Sequence, residues 1–466
     1  MKKGVLLLVV IVAAISSNAQ NIAGDWNGLF NSGNMKEMIV FHISRDWDLI
    51  EVTLDNPDRK AYGLPAQAVS FVNNKLSLSV QSYGMTFSGL ANNSFDTIRG
   101  ILENEKEKSI LVLTRTREAK CMTGRPQDPT DFPYLREEVS FRNSKANIVL
   151  SGTLTLPKDK KAGKIVILIS GSGPQNRDEE VFNQRPFLVW SDWLTKQGIG
   201  VLRYDDRGVG KSTGQFSEAT SLDFADDVES AIDYLRSRED LKNISIGLIG
   251  HSEGGMIAPI VASRNDNVDF IIMLAGPGIP IDQLLVRQVE DIMILESVPE
   301  NIIHLTVGTF KKSLSYLKDN SFQNKEQVAE GLREILKAEY AKYPEGTEEK
   351  SKPEIKIEME VKQLTNNWFR YFVSYIPSEY LKSVSCPVLA LNGTLDCQVN
   401  YKSNLAAIQE ALENADNKSV VIEPMEGLNH ILQRAETGAV SEYGKIDETI
   451  NPAALLKVSS WIINLN

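Results

Sequence analysis

Two rhythms of apolar residues divide this chain. Over residues 21–118, short segments alternate apolar with polar positions, at 38–43, 49–54, 75–80, 85–90, 98–102 and 110–114. Asn-, Asp- and Gly-rich breaks separate them. A period of two turns one face of each strand to a core and the other to water. Many short strands of this kind predict a small antiparallel β domain, a barrel or a sandwich. Gly24-Asp25-Trp26-Asn27-Gly28 opens the region. A tryptophan at the first strand of such a domain is expected to plug one end of its core. An apolar or sugar-like ligand would suit the interior, and no catalytic constellation falls within it.

From about residue 137 the rhythm changes. Segments 138–142 and 148–156 read as a hairpin at a sheet edge. Nearly continuous, β-branched apolar runs follow at 164–169, 200–204, 244–249, 270–274, 388–391 and 419–422. Such runs fit parallel strands buried on both faces. Helical periodicity lies between them, as at 187–196 and 225–236. Strand-helix alternation predicts an α/β fold with a doubly wound, mostly parallel sheet. Between the strands at 270–274 and 388–391 lie more than a hundred residues, far longer than one crossover requires. Helical periodicity at 281–298, 302–317, 326–342 and 357–371 predicts a helical cap at about 280–380, placed over the strands' carboxyl ends. The charged stretch 348–356 reads as a solvated connection. These patterns divide the chain into an all-β domain at 20–120, a Pro-rich linker at 121–136 and an α/β domain at 137–466.

Composition narrows the function classes. The net charge is −11, which argues against a nucleic-acid partner. Lys2 and Lys3, an apolar run at 5–15 and the small residues around Ser17-Asn18-Ala19 predict a signal peptide over residues 1–19, with Gln20 as the mature start. Eleven apolar residues cannot span the ~30 Å of a bilayer core as a helix, so no stable membrane anchor is expected. Export to a periplasm or the cell exterior follows. The three cysteines, Cys121, Cys386 and Cys397, are too sparse for a disulfide scaffold and are expected as free thiols.

The candidate chemistry centres on Gly250-His251-Ser252-Glu253-Gly254-Gly255, which follows an apolar strand and precedes a small, apolar helix start. This G-x-S-x-G form puts a serine on a sharp strand-to-helix turn with its hydroxyl exposed above a sheet. A serine hydroxyl needs a base, and the chain has only His42, His251, His304 and His430. His42 lies in the β domain and His304 in the insertion, while His251 adjoins the serine and leaves the turn in another direction. His430, just after the last apolar strand, remains. The orienting acid should lie between serine and histidine in chain order. Asp396, in the exit loop of the strand at 388–391, fits better than Glu423 or Glu426, which share a strand and loop with the histidine. Oxyanion donors are expected from the backbone N–H of Glu253 and from Ser172 or Gly173, in the Ser170-Gly171-Ser172-Gly173-Pro174 loop. Gly208-Val209-Gly210-Lys211-Ser212-Thr213 ends like a phosphate-binding loop, but Asp205 stands where that motif needs glycine. Asp206 and Arg207 are read as loop fasteners.

Residues 137–466 resemble an α/β-hydrolase. More narrowly, they resemble exported bacterial serine carboxylesterases with a small β-rich N-terminal domain. The resemblance rests on Ser170-Gly171-Ser172-Gly173-Pro174, Asp205-Asp206-Arg207-Gly208, Gly250-His251-Ser252-Glu253-Gly254-Gly255, Gly393-Thr394-Leu395-Asp396 and Asn429-His430, in that order. It implies Ser252 as nucleophile, His430 as base and Asp396 as orienting acid, acting on a small-molecule ester without metal or cofactor. Peptidase activity on the same triad and a silent binding protein of the same fold are the alternatives. One departure is Cys397-Gln398 after the acid, where many relatives carry a Pro-containing turn.

Overall fold

The computed structural model describes residues 22–465, apart from 33–34, 47–48, 57, 59–60, 73, 81–83, 93–94, 105–107, 116–124, 159–161, 183, 242 and 352. The expected signal peptide, Cys121 and the first residues of the expected linker lie outside the described residues. Among those described, the chain forms two compact units, 22–115 and 125–465.

The first unit is built from β1 (Gly24–Ser32), β2 (Met35–Asp46), β3 (Leu49–Asn56), β4 (Ala61–Pro65), β5 (Gln67–Val72), β6 (Lys75–Val80), β7 (Met85–Ala91), β8 (Thr97–Asn104) and β9 (Lys108–Arg115). Their hydrogen-bonded order is β4-β3-β2-β1-β9-β8-β7-β6-β5, with antiparallel neighbours. The two ends of that order are consecutive in the chain. Only Ala66 separates β4 from β5, and its N–H donates to the Val52 carbonyl at 2.8 Å. One kinked strand therefore pairs with β3 and then with β6, curling the sheet into a nearly closed barrel of eight strands in effect. Alternate residues fill the interior, among them Trp26, Phe30, Phe41, Leu54, Leu76 and Phe87. Trp26 is fully buried, donates from Nε1 to the Ile22 carbonyl at 2.7 Å, and lies beneath the Arg115 guanidinium.

The second unit has an eight-stranded sheet. Its elements begin with β10 (Leu135–Asn143), β11 (Ile148–Leu156), β12 (Lys164–Ile169), α1 (Pro186–Lys196), β13 (Gly200–Tyr204), α2 (Ser221–Ser237), β14 (Ser245–His251), α3 (Glu253–Ala262) and β15 (Phe270–Leu274). The insertion follows as α4 (Ile281–Leu295), α5 (Glu300–Asp319), α6 (Lys325–Tyr340), α7 (Glu348–Ser351), α8 (Pro353–Leu364), α9 (Asn367–Ser374) and α10 (Pro377–Leu381). The fold ends with β16 (Val388–Gly393), α11 (Tyr401–Asn414), β17 (Val420–Met425) and α12 (Pro452–Asn464). Strand order is β10-β11-β13-β12-β14-β15-β16-β17, antiparallel through the first three and parallel beyond. This is an α/β-hydrolase fold. Its apolar runs are continuous because each strand feeds two cores. Ile165, Ile167 and Ile169 of β12 join one cluster with residues of α2 and α3, while Val166 and Leu168 join another with residues of α1 and α12.

Two expectations need correction. The helix expected over 357–371 is broken between α8 and α9, where Asn366 caps the second helix by accepting the Phe369 N–H at 2.6 Å. The stretch 348–356 is not simply solvated, since Glu349 is buried and paired with Lys356. Residues just after the described gap are also held. Arg125 donates to the Gly444 carbonyl at 2.8 Å, and Gln127 to that of Ile450 at 2.7 Å.

Candidate active site

Ser252 occupies the turn between β14 and α3 with φ 52° and ψ −115°. A non-glycine residue here is strained, and it persists only because its surroundings overdetermine it. The Ser252 N–H donates to the Leu274 carbonyl of β15, and its carbonyl accepts from the Gly255 N–H, both at 2.9 Å. The flanking glycines answer a demand for space. A Cβ on Gly250 would collide with the Gly254 carbonyl, and one on Gly254 with the Ile169 carbonyl. The helix start therefore packs directly onto the end of β12, the strand that feeds the expected oxyanion loop.

The structure brings Asp396 and His430 together. Asp396 leaves β16 and His430 follows β17, and these strands are parallel neighbours. His430 Nδ1 lies 2.8 Å from Asp396 Oδ2, with both side chains nearly excluded from solvent. The second carboxylate oxygen, Oδ1, accepts the N–H groups of Gln398 and Val399 at 2.8 Å each. Three donors thus fix the carboxylate and leave it one orientation. Cys397, at the departure from the family pattern, buries its thiol against the Gly438 carbonyl. Burial and the neighbouring Asp396 charge push that thiol up to about 12. Cys386 and Cys397 are both free. His430 is held from behind by a tight 429–433 turn, in which Asn429 and Gln433 bond through both side chains and backbone.

The loop after β12 lies against the serine. A Cβ on Gly171 would come within 3.3 Å of Ser252 Cβ. The Gly171 N–H is already taken by Glu179 Oε1 at 2.6 Å, so the candidate donors of this loop are the amides of Ser172 and Gly173. Asp206 fastens the loop by accepting from the Ser170 hydroxyl and the Gln175 N–H, each at 2.9 Å. Burial pushes the Asp206 carboxyl well above its usual range, with those two donors opposing the shift. Asp205 accepts the Arg177 N–H and guanidinium, and Arg207 donates to Asp227 at 2.7 Å. Asp205 and Asp206 thus join loops, and Arg207 ties its loop to α2. His42 and His304 are not part of this cluster.

Two participants, Glu179 and Trp368, were not singled out from the sequence, and Glu253 was expected only for its backbone N–H. Glu179 is buried and takes His251 Nδ1 as well as the Gly171 amide. The Glu253 side chain is buried under the turn, where its Oε1 accepts from Ser221 Oγ at 2.6 Å and from Trp368 Nε1 at 2.8 Å. Burial raises its pKa, while Ser221, Trp368 and Ser172 oppose the rise. Trp368 belongs to α9, so an insertion helix is bonded to the residue after the serine. Position in the chain gave no signal for these contacts, because each crosses between distant segments. Among the described residues, no group of three or more His, Cys, Asp or Glu is placed to hold a metal ion, and no helix is long and apolar enough to cross a membrane.

Comparison with known proteins gives the following. Residues 188–336 match the Hydrolase_4 family, described as serine aminopeptidase, S33. That stretch includes Ser252 and ends before Asp396 and His430. The chain is 23% identical over 318 residues to esterase EstD of Thermotoga maritima, covering 67% of this chain and spanning 65% of that protein. Among solved structures it resembles an esterase of Pyrococcus furiosus, at 17% identity and TM-score 0.43, covering 72% of this chain and 92% of that one. A dienelactone hydrolase of Anabaena variabilis aligns at 15% identity and TM-score 0.39, over 71% of this chain and 98% of the other.

Proposed function

We propose that this chain is a serine hydrolase that cleaves carboxylic esters through an acyl-enzyme. The observation that carries the reading is the strained Ser252 turn at the top of β14, together with a buried, hydrogen-bonded Asp396–His430 pair delivered by β16 and β17. Ser252 attacks the ester carbonyl while His430 takes its proton through Nε2, the nitrogen left free by Asp396. Asp396 fixes the imidazole tautomer and stabilises the imidazolium. The oxyanion is met by the Glu253 amide and that of Ser172 or Gly173. His430 then protonates the leaving alcohol and activates the water that releases the acid. This chemistry calls on side chains and amides alone. The esterase name of the Thermotoga relative supports the ester reading.

The family description favours a second reading, an aminopeptidase on the same triad. One experiment separates them: wild type and Ser252→Ala are compared on nitrophenyl esters of rising chain length and on aminoacyl anilides. The ester reading expects ester turnover that falls by about 10⁴-fold or more in the alanine variant. Ester turnover that survives in Ser252→Ala sinks the mechanism. Anilide turnover alone makes the protein a peptidase, and an inert wild type makes it a binding protein of this fold.

A further inference from the structure

The triad makes no use of His251, yet this histidine is built into the site. Its side chain is about nine-tenths buried, and both ring nitrogens meet acceptors. Nδ1 lies 2.9 Å from Glu179 Oε1, and Nε2 lies 3.2 Å from the backbone carbonyl oxygen of His430. A neutral imidazole carries one N–H and one lone pair, so between two acceptors it must turn its lone pair toward one of them. Only the imidazolium donates to both. Burial works against that charge, but the Glu179 charge and hydrogen bond, the His430 carbonyl and the Asp396 charge outweigh it and hold the His251 pKa above the ordinary value of 6.5.

Glu179 is placed for this task at some conformational cost. It is buried, sits at φ 49°, and uses the same oxygen to take the Gly171 N–H. The His430 ring lies 5.0 Å from that of His251, centroid to centroid. The groups facing His251 are Glu179 from the loop after β12, Asp396 from the loop after β16 and His430 from the loop after β17. Those facing the His430 ring are Asp396 and His251.

Resting on the serine-hydrolase reading, we propose that His251 is a positioning residue that stands as a cation between Glu179 and the His430 backbone, and that its charge sets the acid limit of activity by opposing a second charge on the His430 ring. Its Nε2–H also fixes the height of the His430 backbone. Two like charges about 5 Å apart, partly offset by Glu179, should displace the acid limb by about one pH unit. Ser252 remains the nucleophile.

Four histidines make the charge directly readable. In protein labelled with ¹⁵N-histidine, assigned with His251→Asn, both His251 ring nitrogens should keep imidazolium shifts at about pH 7, above the ordinary histidine midpoint. In the profile of kcat/KM against pH, His251→Asn should move the acid limb up by about one unit, and Glu179→Gln should move it the same way by less. Neutral-tautomer shifts for wild-type His251 at that pH overturn the proposal. So does an acid limb that stays in place while kcat falls, the mark of a packing role. If His251→Asn does not fold, wild-type shifts and the Glu179→Gln profile decide. The nitrogen shifts are independent of turnover, so failure of the Ser252→Ala test leaves the charge measurement standing on its own.

Discussion

Each unit holds a histidine clamped through both ring nitrogens, and the two clamps stand in different surroundings. In the barrel, His42 of β2 reaches Asp25 of β1 at 2.7 Å and Asp55 of β3 at 3.0 Å, tying three neighbouring strands. Its side chain is 25% exposed, and its partners nearly as much. In the α/β unit, His251 lies buried between Glu179 and the His430 carbonyl. Water screens the first clamp, so it acts only on the strands it joins. The second acts in a low-dielectric interior beside another imidazole, where a fixed charge has leverage over chemistry. The same side-chain geometry gives a minor fastening in one place and a local field in the other.

Substitutions can break this comparison or sharpen it. The largest effect should come from the buried carboxylate. Asp396→Asn keeps the shape but cannot hold the imidazolium, so kcat should fall by roughly 10³–10⁴-fold with folding little changed. A loss under tenfold in steady-state assays would mean that Asp396 does not orient the base. Next is Trp26→Ala in the barrel, which should cost about 3–5 kcal/mol of barrel stability in urea unfolding. Turnover in native buffer should remain near wild type, and its collapse would tie the two units' functions together. The smallest effect concerns His42. Its two aspartates outweigh burial and raise its pKa above 6.5. A raised histidine stabilises the fold below its unfolded pKa, and that contribution is lost as pH rises through the folded value. His42→Asn should therefore destabilise the barrel at about pH 6 by under ~1 kcal/mol, since exposed pairs contribute little, and by less at about pH 9. An equal difference at both pH values would mean the His42 clamp is not charged.

Strands were legible wherever burial imposed a period. The alternation of β6 and β7 and the unbroken runs of β12 and β15 each follow from how many faces are covered. β1, β4 and β5 did not stand out. β1 interleaves Trp26, Gly28 and Phe30 with Asn27 and Asn31, and β4 contains Gly63 and ends at Pro65, so turn residues mask the pattern. In the insertion, a run of apolar residues at helical spacing hid the Asn366 break, because a cap changes backbone direction without changing periodicity. At the site, chain order pointed to Ser252, Asp396 and His430, since each sits at the exit of a recognisable strand. Glu179 and Trp368 gave no such signal. Their partners lie 72 and 115 residues away, a distance that only the folded chain closes.

The crossing of Ala66 has a consequence for how the protein meets its neighbours. An edge strand presents a row of unused N–H and C=O groups, a template on which another chain can add a strand. In the α/β sheet, β10 and β17 are such edges, each with one strand partner. In the barrel the two ends of the order, β4 and β5, are consecutive segments of one kinked strand, so among the described residues its open edge is confined to that strand. Six large apolar side chains, Leu29, Val72, Leu90, Ile101, Ile110 and Val112, stand exposed on its strands. Near closure confines the backbone groups open to a passing strand to that one kinked segment. A short, bent edge of this kind is a poor template for strand addition.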